Sequence, residues 1–272
     1  MIGTLIFSKD SPTRLEVLLR SITLNANDVF GRVIVLYSTS SDSSRKGYEI
    51  MSKEFESVTW VPISNLKQDV LSSIEAAGAS SICFLSDWDM IFSNISGKAV
   101  EIESILDDQT VLCFSLRLGE NVTKCYLMGI NNRLYGQVPV GESSIKFDWK
   151  KHYLDFANPF SINGHIYRTP EIQKMLRKVT FNSPEEIEDS LHLFQDYPKN
   201  MMASFVKSAV VTVPKLEMMS MVKNRKEKPS VINESELTKL FLEGKRIDLS
   251  MIDFSSVNSC YMEVELHLSP CG

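Results

Sequence analysis

In the first 117 residues, short apolar runs alternate with segments of helical period. That alternation restricts the chain to a sheet whose strands are joined by helical crossovers. The runs lie at 2–8 (IGTLIFS), 32–37, 58–61, 81–85 and 110–115. Between them, Leu15, Leu18, Leu19 and Ile22 share one helical face, as do Leu66, Val70, Ile74 and Ala77, and then Ala99, Ile102, Ile105 and Leu106. A further helix is expected over 45–55, after the Ser-rich loop STSSDSS. Near-continuous apolar strands are those covered on both faces, so a mostly parallel, doubly wound α/β sheet flanked by helices is expected.

The pattern changes after residue 117. Short strands are expected near 124–128 and 144–147, among turns and aromatics. Helices start at Thr169-Pro170, with Ile172, Met175, Leu176 and Val179 on one face, and at Ser183-Pro184, with Ile187, Leu191 and Phe194. A strand is expected over 209–213 and a last helix through Leu237, Leu240 and Phe241 that stops at Gly244. Residues 118–272 thus read as an irregular α+β extension of the 1–117 half. No Gly/Ser/Pro linker parts the two, so one composite domain is expected.

A net charge of −5 over 272 residues argues against a nucleic-acid partner, which would demand a basic face. The five cysteines have no C-x-x-C spacing, which disfavours a zinc knot and fits a reducing compartment. The first ten residues meet a charge too early for a signal peptide or membrane span, so a cytoplasmic protein is expected. There is neither G-x-G-x-x-G after the first strand nor G-x-x-x-x-G-K-[ST] anywhere, which disfavours dinucleotide enzymes and P-loop NTPases.

The run at 81–85 ends in SDWDMIF, with Asp87 and Asp89 one residue apart. Ligands of open α/β sheets bind outside the carboxyl ends of strands. Two carboxylates repel each other unless a cation sits between them, and hard oxygen ligands suit Mn2+ or Mg2+. His192 or His267 is a candidate to complete the metal shell. The first strand runs into Ser8-Lys9-Asp10-Ser11-Pro12, where Asp10 could accept from a nucleobase or ribose, or Asp10 or Ser11 could cap the next helix.

The segments FSKDSPTRLEVLLRSI, VIVLYSTSS, FLSDWDMIF, FANPFSINGHIYRTPEI and FNSPEEIEDSLH, in that order, resemble bacterial family 2-like glycosyltransferases of the GT-A type. The resemblance implies a nucleoside-diphosphate sugar donor, with uridine the expected nucleoside, and a glycan acceptor. It implies that Ser8, Asp10, Tyr37, Ser38, Lys67, Asp87 and Trp88 line the nucleotide site and that Asp87 and Asp89 hold the metal. Gly164 and His165 could form the acceptor floor, or be a tight-turn glycine and a packed histidine; Trp149 could stack on a sugar, or be core; Lys223 and Arg225 could close over the diphosphate, or belong to a solvated charge run. Two positions depart from the pattern: Ser11 stands where relatives carry Arg, and Trp88 interrupts a run of three Asp. Envelope or capsule acceptors would bring transient membrane association, although no amphipathic anchor is evident.

Inverting transfer needs a carboxylate to take the acceptor's proton, and Glu185, Glu186, Glu188 and Asp189 are candidates. Ser183 with Glu186 fits a capping box, and Glu185 suits the positive end of the helix. Glu188 has neither role and is the expected base, with Asp189 second. Two other functions share these features. A sugar nucleotidyltransferase would carry a Gly-rich loop after the first strand, and here that loop has no Gly. A non-catalytic nucleotide- or glycan-binding module is compatible with Ser11 and Trp88.

Overall fold

The structure is a computed structural model, and it describes residues 1–222 and 233–270. The first half contains β1 (Ile2–Lys9), α1 (Pro12–Asn25), β2 (Phe30–Ser38), α2 (Asp42–Glu54), β3 (Thr59–Pro62), α3 (Leu66–Ala77), β4 (Ser81–Ser86), β5 (Asp89–Ile91), α4 (Ala99–Leu106) and β6 (Val111–Ser115). The second contains β7 (Lys124–Cys125), β8 (Ile130–Asn131), β9 (Val138–Val140), β10 (Ser144–Asp148), β11 (His165–Arg168), α5 (Thr169–Lys178), α6 (Pro184–Leu191), β12 (Met201–Phe205), β13 (Val210–Thr212), α7 (Leu216–Met221), α8 (Glu234–Leu242), β14 (Lys245–Ile247) and β15 (Leu268–Pro270).

Among the described residues, nine strands form one sheet in the order β3-β2-β1-β4-β11-β6-β12-β10-β9. β1 pairs in parallel with β2 and β4, and β6 with β12, while β11 and β10 run against their neighbours. All of these strands except β11 and β10 point the same way, so the sheet is mixed but mostly parallel. Alternate side chains of each central strand enter different cores. Ile2 and Ile6 of β1, with Cys83 and Leu85 of β4, pack under α1, α2, α4 and α8. Leu5 and Phe7, with Ile82 and Phe84, pack under α3, α5 and α6. Burial on both faces is why these strands read as unbroken apolar runs. Each fully buried Leu, Ile or Phe contributes about 1.5–3 kcal/mol.

Helix α2 starts three residues earlier than its apolar pattern suggests, because Ser41 caps it by accepting from the Ser44 amide. Its Gly47 lies against the start of α1, where a Cβ would stand 2.5 Å from Pro12 Cγ and 2.8 Å from Pro12 Cβ. Gly47→Ala is expected to cost about 1–3 kcal/mol of stability, because neither helix can yield without shifting its core side chains. Urea unfolding measures this, and an unchanged midpoint would show that the contact gives way freely.

Three features depart from the sequence reading. Asp89 opens a strand of its own, β5, which pairs antiparallel with β13. His165, expected at the acceptor, is the first residue of β11, inside the main sheet between β4 and β6. β12, which no strong periodicity announced, also lies inside that sheet.

Candidate functional site

Going from β1 to its two partners, the order reverses: β2 lies on one side and β4 on the other. The chain leaves β1 and β4 at the same edge, and this switch point is where open α/β sheets leave a crevice. A cavity of about 700 Å³ opens there. Its sheet side is formed by Phe7, Ser8 and Lys9 after β1, Ser38 at the end of β2, and Ser86, Asp87 and Trp88 after β4. Its far side is formed by Ile162, Asn163, the start of α6 with Glu188 and Asp189, Lys215, and Tyr261.

Asp87 is buried at the base of this cavity. Its Oδ2 accepts from Ser8 Oγ at 2.7 Å and from the Lys9 amide at 3.1 Å. Ser8 Oγ lies 2.5 Å from the Tyr48 hydroxyl, which accepts from the Ser11 amide at 3.2 Å. With Ser8 donating to Asp87, Tyr48 donates to Ser8, and the chain of hydrogen bonds from the first loop to the carboxylate is complete. Burial pushes the Asp87 carboxyl up to about 7, against the pull of Ser8 and Lys9. Its Oδ1 takes no hydrogen bond from the described residues.

Asp89 is turned elsewhere. Asp87 and Trp88 form a turn, and the chain comes back as β5. Asp89 is 1% exposed and does not border the cavity. Its Oδ1 accepts from Thr212 Oγ1 at 2.6 Å and its Oδ2 from the Ser86 amide at 2.8 Å. Burial raises its carboxyl to about 6, with buried Arg117 and Thr212 opposing. The expected grip of two carboxylates on Mn2+ or Mg2+ does not fit this arrangement: Asp87 borders the cavity, and Asp89 ties β5 to β13. Among the described residues no three His, Cys, Asp or Glu side chains are grouped to hold a metal, His192 and His267 included.

Other expected site residues divide in the same way. Ser8, Ser38 and Trp88 border the cavity. The Arg14 guanidinium stacks on the Trp88 ring at 3.8 Å and pairs with Glu234, which also accepts from Ser11 Oγ. Asp10 neither borders the cavity nor caps α1. It adopts φ 53° and accepts from the Ser40 amide, Ser40 Oγ and Ser44 Oγ at 2.6–2.8 Å. Burial works against its charge, yet these bonds hold its carboxyl below the ordinary value. It joins the first loop to the start of α2. Tyr37 stacks on Tyr48 at 4.8 Å, away from the cavity. Lys67 donates to the carbonyls of Arg177 and Val179, at 3.2 and 2.6 Å, and so caps the end of α5 instead of a phosphate.

The proposed acceptor residues do not gather at the cavity either. Gly164, at φ 73°, donates to Phe84 O and accepts from the Leu116 amide, and a Cβ there would sit 3.3 Å from Val210. His165 is fully buried, with burial lowering it to about 3, so it packs as a neutral ring beside Pro159 O. Trp149 is buried and donates to Lys199 O at 3.2 Å. Lys223 and Arg225 lie outside the described residues.

The acidic helix resolves as its local chemistry dictates. Ser183 Oγ accepts from the Glu186 amide, and Glu186 accepts from the Asn182 amide at 2.7 Å, so Glu186 is a capping residue. Glu185 pairs with Lys215 at 2.8 Å. Glu188 and Asp189 border the cavity. Glu188 Oε1 accepts from Ser161 Oγ at 2.8 Å and from the Ile162 amide at 2.7 Å. Its Oε2 takes no hydrogen bond from the described residues. Ser161, Tyr48, Thr212 and Tyr261 have no sequence motif of their own. Arg117 could have been noticed, because it is a charge inside the otherwise apolar run FSLRL.

No family model matches the chain, and no curated protein matches it. Solved structures do. S. aureus TarS residues 1–349, in complex with UDP, is 15% identical over 89% of this chain and 70% of that chain, with a TM-score of 0.49. Against another S. aureus TarS structure the chain spans 42% of that chain. A cytidylyltransferase from Leptospira borgpetersenii is 11% identical over 89% of this chain and 94% of that one, with a TM-score of 0.44. The mannosyltransferase PcManGT from Pyrobaculum calidifontis, in complex with GDP-Man and Mn2+, is 11% identical over 78% of this chain and 56% of that one, with a TM-score of 0.43. Among the described residues no helix is long and apolar enough to cross a membrane.

Proposed function

We propose that this chain is a glycosyltransferase of the GT-A type that moves a sugar from a nucleoside-diphosphate donor to a hydroxyl of a glycan acceptor. The observation that carries the reading is one cavity at the β1/β4 switch point with Asp87 on its sheet side and Glu188 facing it from α6. In this reading the ribose of a UDP-sugar meets Asp87 Oδ1 at the edge where Ser8 and Ser38 also stand. The acceptor oxygen attacks the anomeric carbon as Glu188 Oε2 takes its proton. The bond from that carbon to the diphosphate oxygen breaks, and the diphosphate leaves with the electron pair. Lys9, which borders the cavity beside Asp87, adds positive charge on the diphosphate's side of the reaction. Attack opposite the leaving group inverts the anomeric centre. Asp89, turned into the β5–β13 pair, takes no part in this step.

The test is calorimetric titration of UDP with and without Mn2+, followed by a nucleotide-sugar panel read by mass spectrometry for donor hydrolysis and transfer. UDP binding in chelator, with slow turnover of one donor, supports the reading. Binding without turnover across donors and acceptors would point to a non-catalytic module, and no UDP binding in either condition would refute the nucleotide site.

A further inference from the structure

Glu188 reaches the cavity from α6, but the groups that fix its carboxylate come from elsewhere in the chain. Ser161 Oγ accepts two hydrogen bonds, from Arg117 Nη1 at 3.3 Å and from the Asn163 amide at 3.1 Å. A hydroxyl has two acceptor sites and one proton. With both acceptor sites taken by N–H donors, its proton goes to Glu188 Oε1, 2.8 Å away. The Ile162 amide donates to the same oxygen. Oε1 is thereby held in place, and Oε2 is the oxygen left for chemistry in the cavity.

Arg117 is buried, and its place is itself fixed. Nη2 donates to Cys260 O at 3.4 Å, and the guanidinium stacks on the Tyr261 ring at 4.8 Å. An arginine is a donor only and keeps its charge, so it cannot reverse the direction of the Ser161 hydroxyl. Tyr261 also borders the cavity, so the Arg117 platform and the Glu188 carboxylate bound the same space.

We propose that Arg117, acting through Ser161, is the positioning residue that sets the orientation of the Glu188 carboxylate. The inference rests on the reading of Glu188 as the base. It assigns a function to the buried cation of the FSLRL run, which touches neither donor nor acceptor.

The experiment uses Ser161→Ala, Arg117→Met, Arg117→Lys and the Arg117→Met/Ser161→Ala pair in the full chain. UDP calorimetry shows that each variant keeps its nucleotide site. Ser161→Ala is expected to lower kcat about tenfold with the donor KM unchanged, the effect of one charge-assisted hydrogen bond. Arg117→Met is expected to lose a similar factor, and Arg117→Lys to recover most of it. The double variant is expected to be no slower than Ser161→Ala, because both changes break one path. Crystal structures of Ser161→Ala and wild type are compared for the Glu188 carboxylate, which is expected to leave its place beside Ile162 in the variant.

A double variant slower by the product of the two losses would overturn the path through Ser161. So would a Ser161→Ala enzyme with kcat within twofold of wild type and an unmoved carboxylate. If Arg117→Met does not fold, Ser161→Ala and Arg117→Lys decide. A wild-type chain without turnover would sink the glycosyltransferase reading alone. The two crystal structures would then still judge the positioning, with an unmoved carboxylate overturning it.

Discussion

Glu188→Gln is expected to slow sugar transfer by about 10²–10⁴-fold while leaving UDP affinity within a factor of two, as loss of a general base does. The amide keeps the shape of the side chain, and its remaining oxygen can still accept from Ser161 and the Ile162 amide, so the fold should survive. What is lost is the basic oxygen on the cavity side. Its neighbours provide the controls. Glu186→Gln weakens a helix cap, because its carboxylate faces the Asn182 amide, and should change stability more than rate. Asp189 is exposed at the cavity rim, and Asp189→Asn should change rate by less than tenfold if Glu188 is the base. Steady-state kinetics on the donor identified by the nucleotide-sugar panel decides. Asp189→Asn slower than Glu188→Gln would exchange the two roles, and two active variants would remove the base from α6.

That helix shows what one sequence can disclose. The carboxylates of α6 can be sorted from the order of residues alone, because capping has a local signature. Ser183 three residues before Glu186 is such a signature, and the structure bears out that cap. The strands β1, β2, β4 and β6 are equally legible, since burial on both faces leaves unbroken apolar runs. Strands β11 and β12 are not. His165–Arg168 has two apolar positions between a histidine and an arginine, and only its pairing with β4 and β6 makes it a strand. Such pairing is non-local and leaves no period in the sequence.

The acidic pair misleads for a related reason. Asp87 and Asp89 stand two apart, which in a continuous strand would put both on one face. A turn at Asp87 and Trp88 breaks that continuity, and the partner that captures Asp89, Thr212, is more than a hundred residues away. Asp10 and Lys67 mislead in the same way. Each looks like a ligand-facing polar residue in sequence, and each meets a partner within the protein: Ser40 and Ser44 for Asp10, the last turn of α5 for Lys67. A short polar motif tells where chemistry is possible, while the long-range partner decides which side chains remain for a ligand.

The two buried carboxyls should make the protein lose stability as pH rises from about 4 to about 8. In the unfolded chain each titrates near 3.8, whereas in the fold burial raises Asp87 to about 7 and Asp89 to about 6. Below the unfolded value both states carry the protons, and the contribution of these groups is fully present. Between that value and the folded ones the unfolded state ionises first, while the native state still holds its protons. Stability therefore falls with rising pH, and the loss is complete above the folded values. Each pKa unit is worth about 1.4 kcal/mol, so the loss is on the order of several kcal/mol for the pair. Carboxylates held below their usual range, such as Glu101 at about 2, have the opposite sign, and they act mainly below pH about 4.5. A window from pH 5 to pH 8 thus excludes the low-lying carboxylates, while buried His165, held neutral at about 3, adds an opposing gain only up to about pH 6.5. Urea unfolding across that window should show a declining free energy for the wild type. Asp87→Asn and Asp89→Asn each remove one ionisation and should each flatten the decline, and the double variant should no longer decline as the wild type does. Asp89→Asn also places an amide N–H2 or carbonyl between the Thr212 hydroxyl and the Ser86 amide, so its absolute stability can fall, and the slope is the quantity to compare. A double variant that declines as steeply as wild type would show that these carboxyls are ionised in the fold. Asp89 would then be a charged strand tie, and Asp87 would offer the nucleotide an anionic oxygen throughout the neutral range.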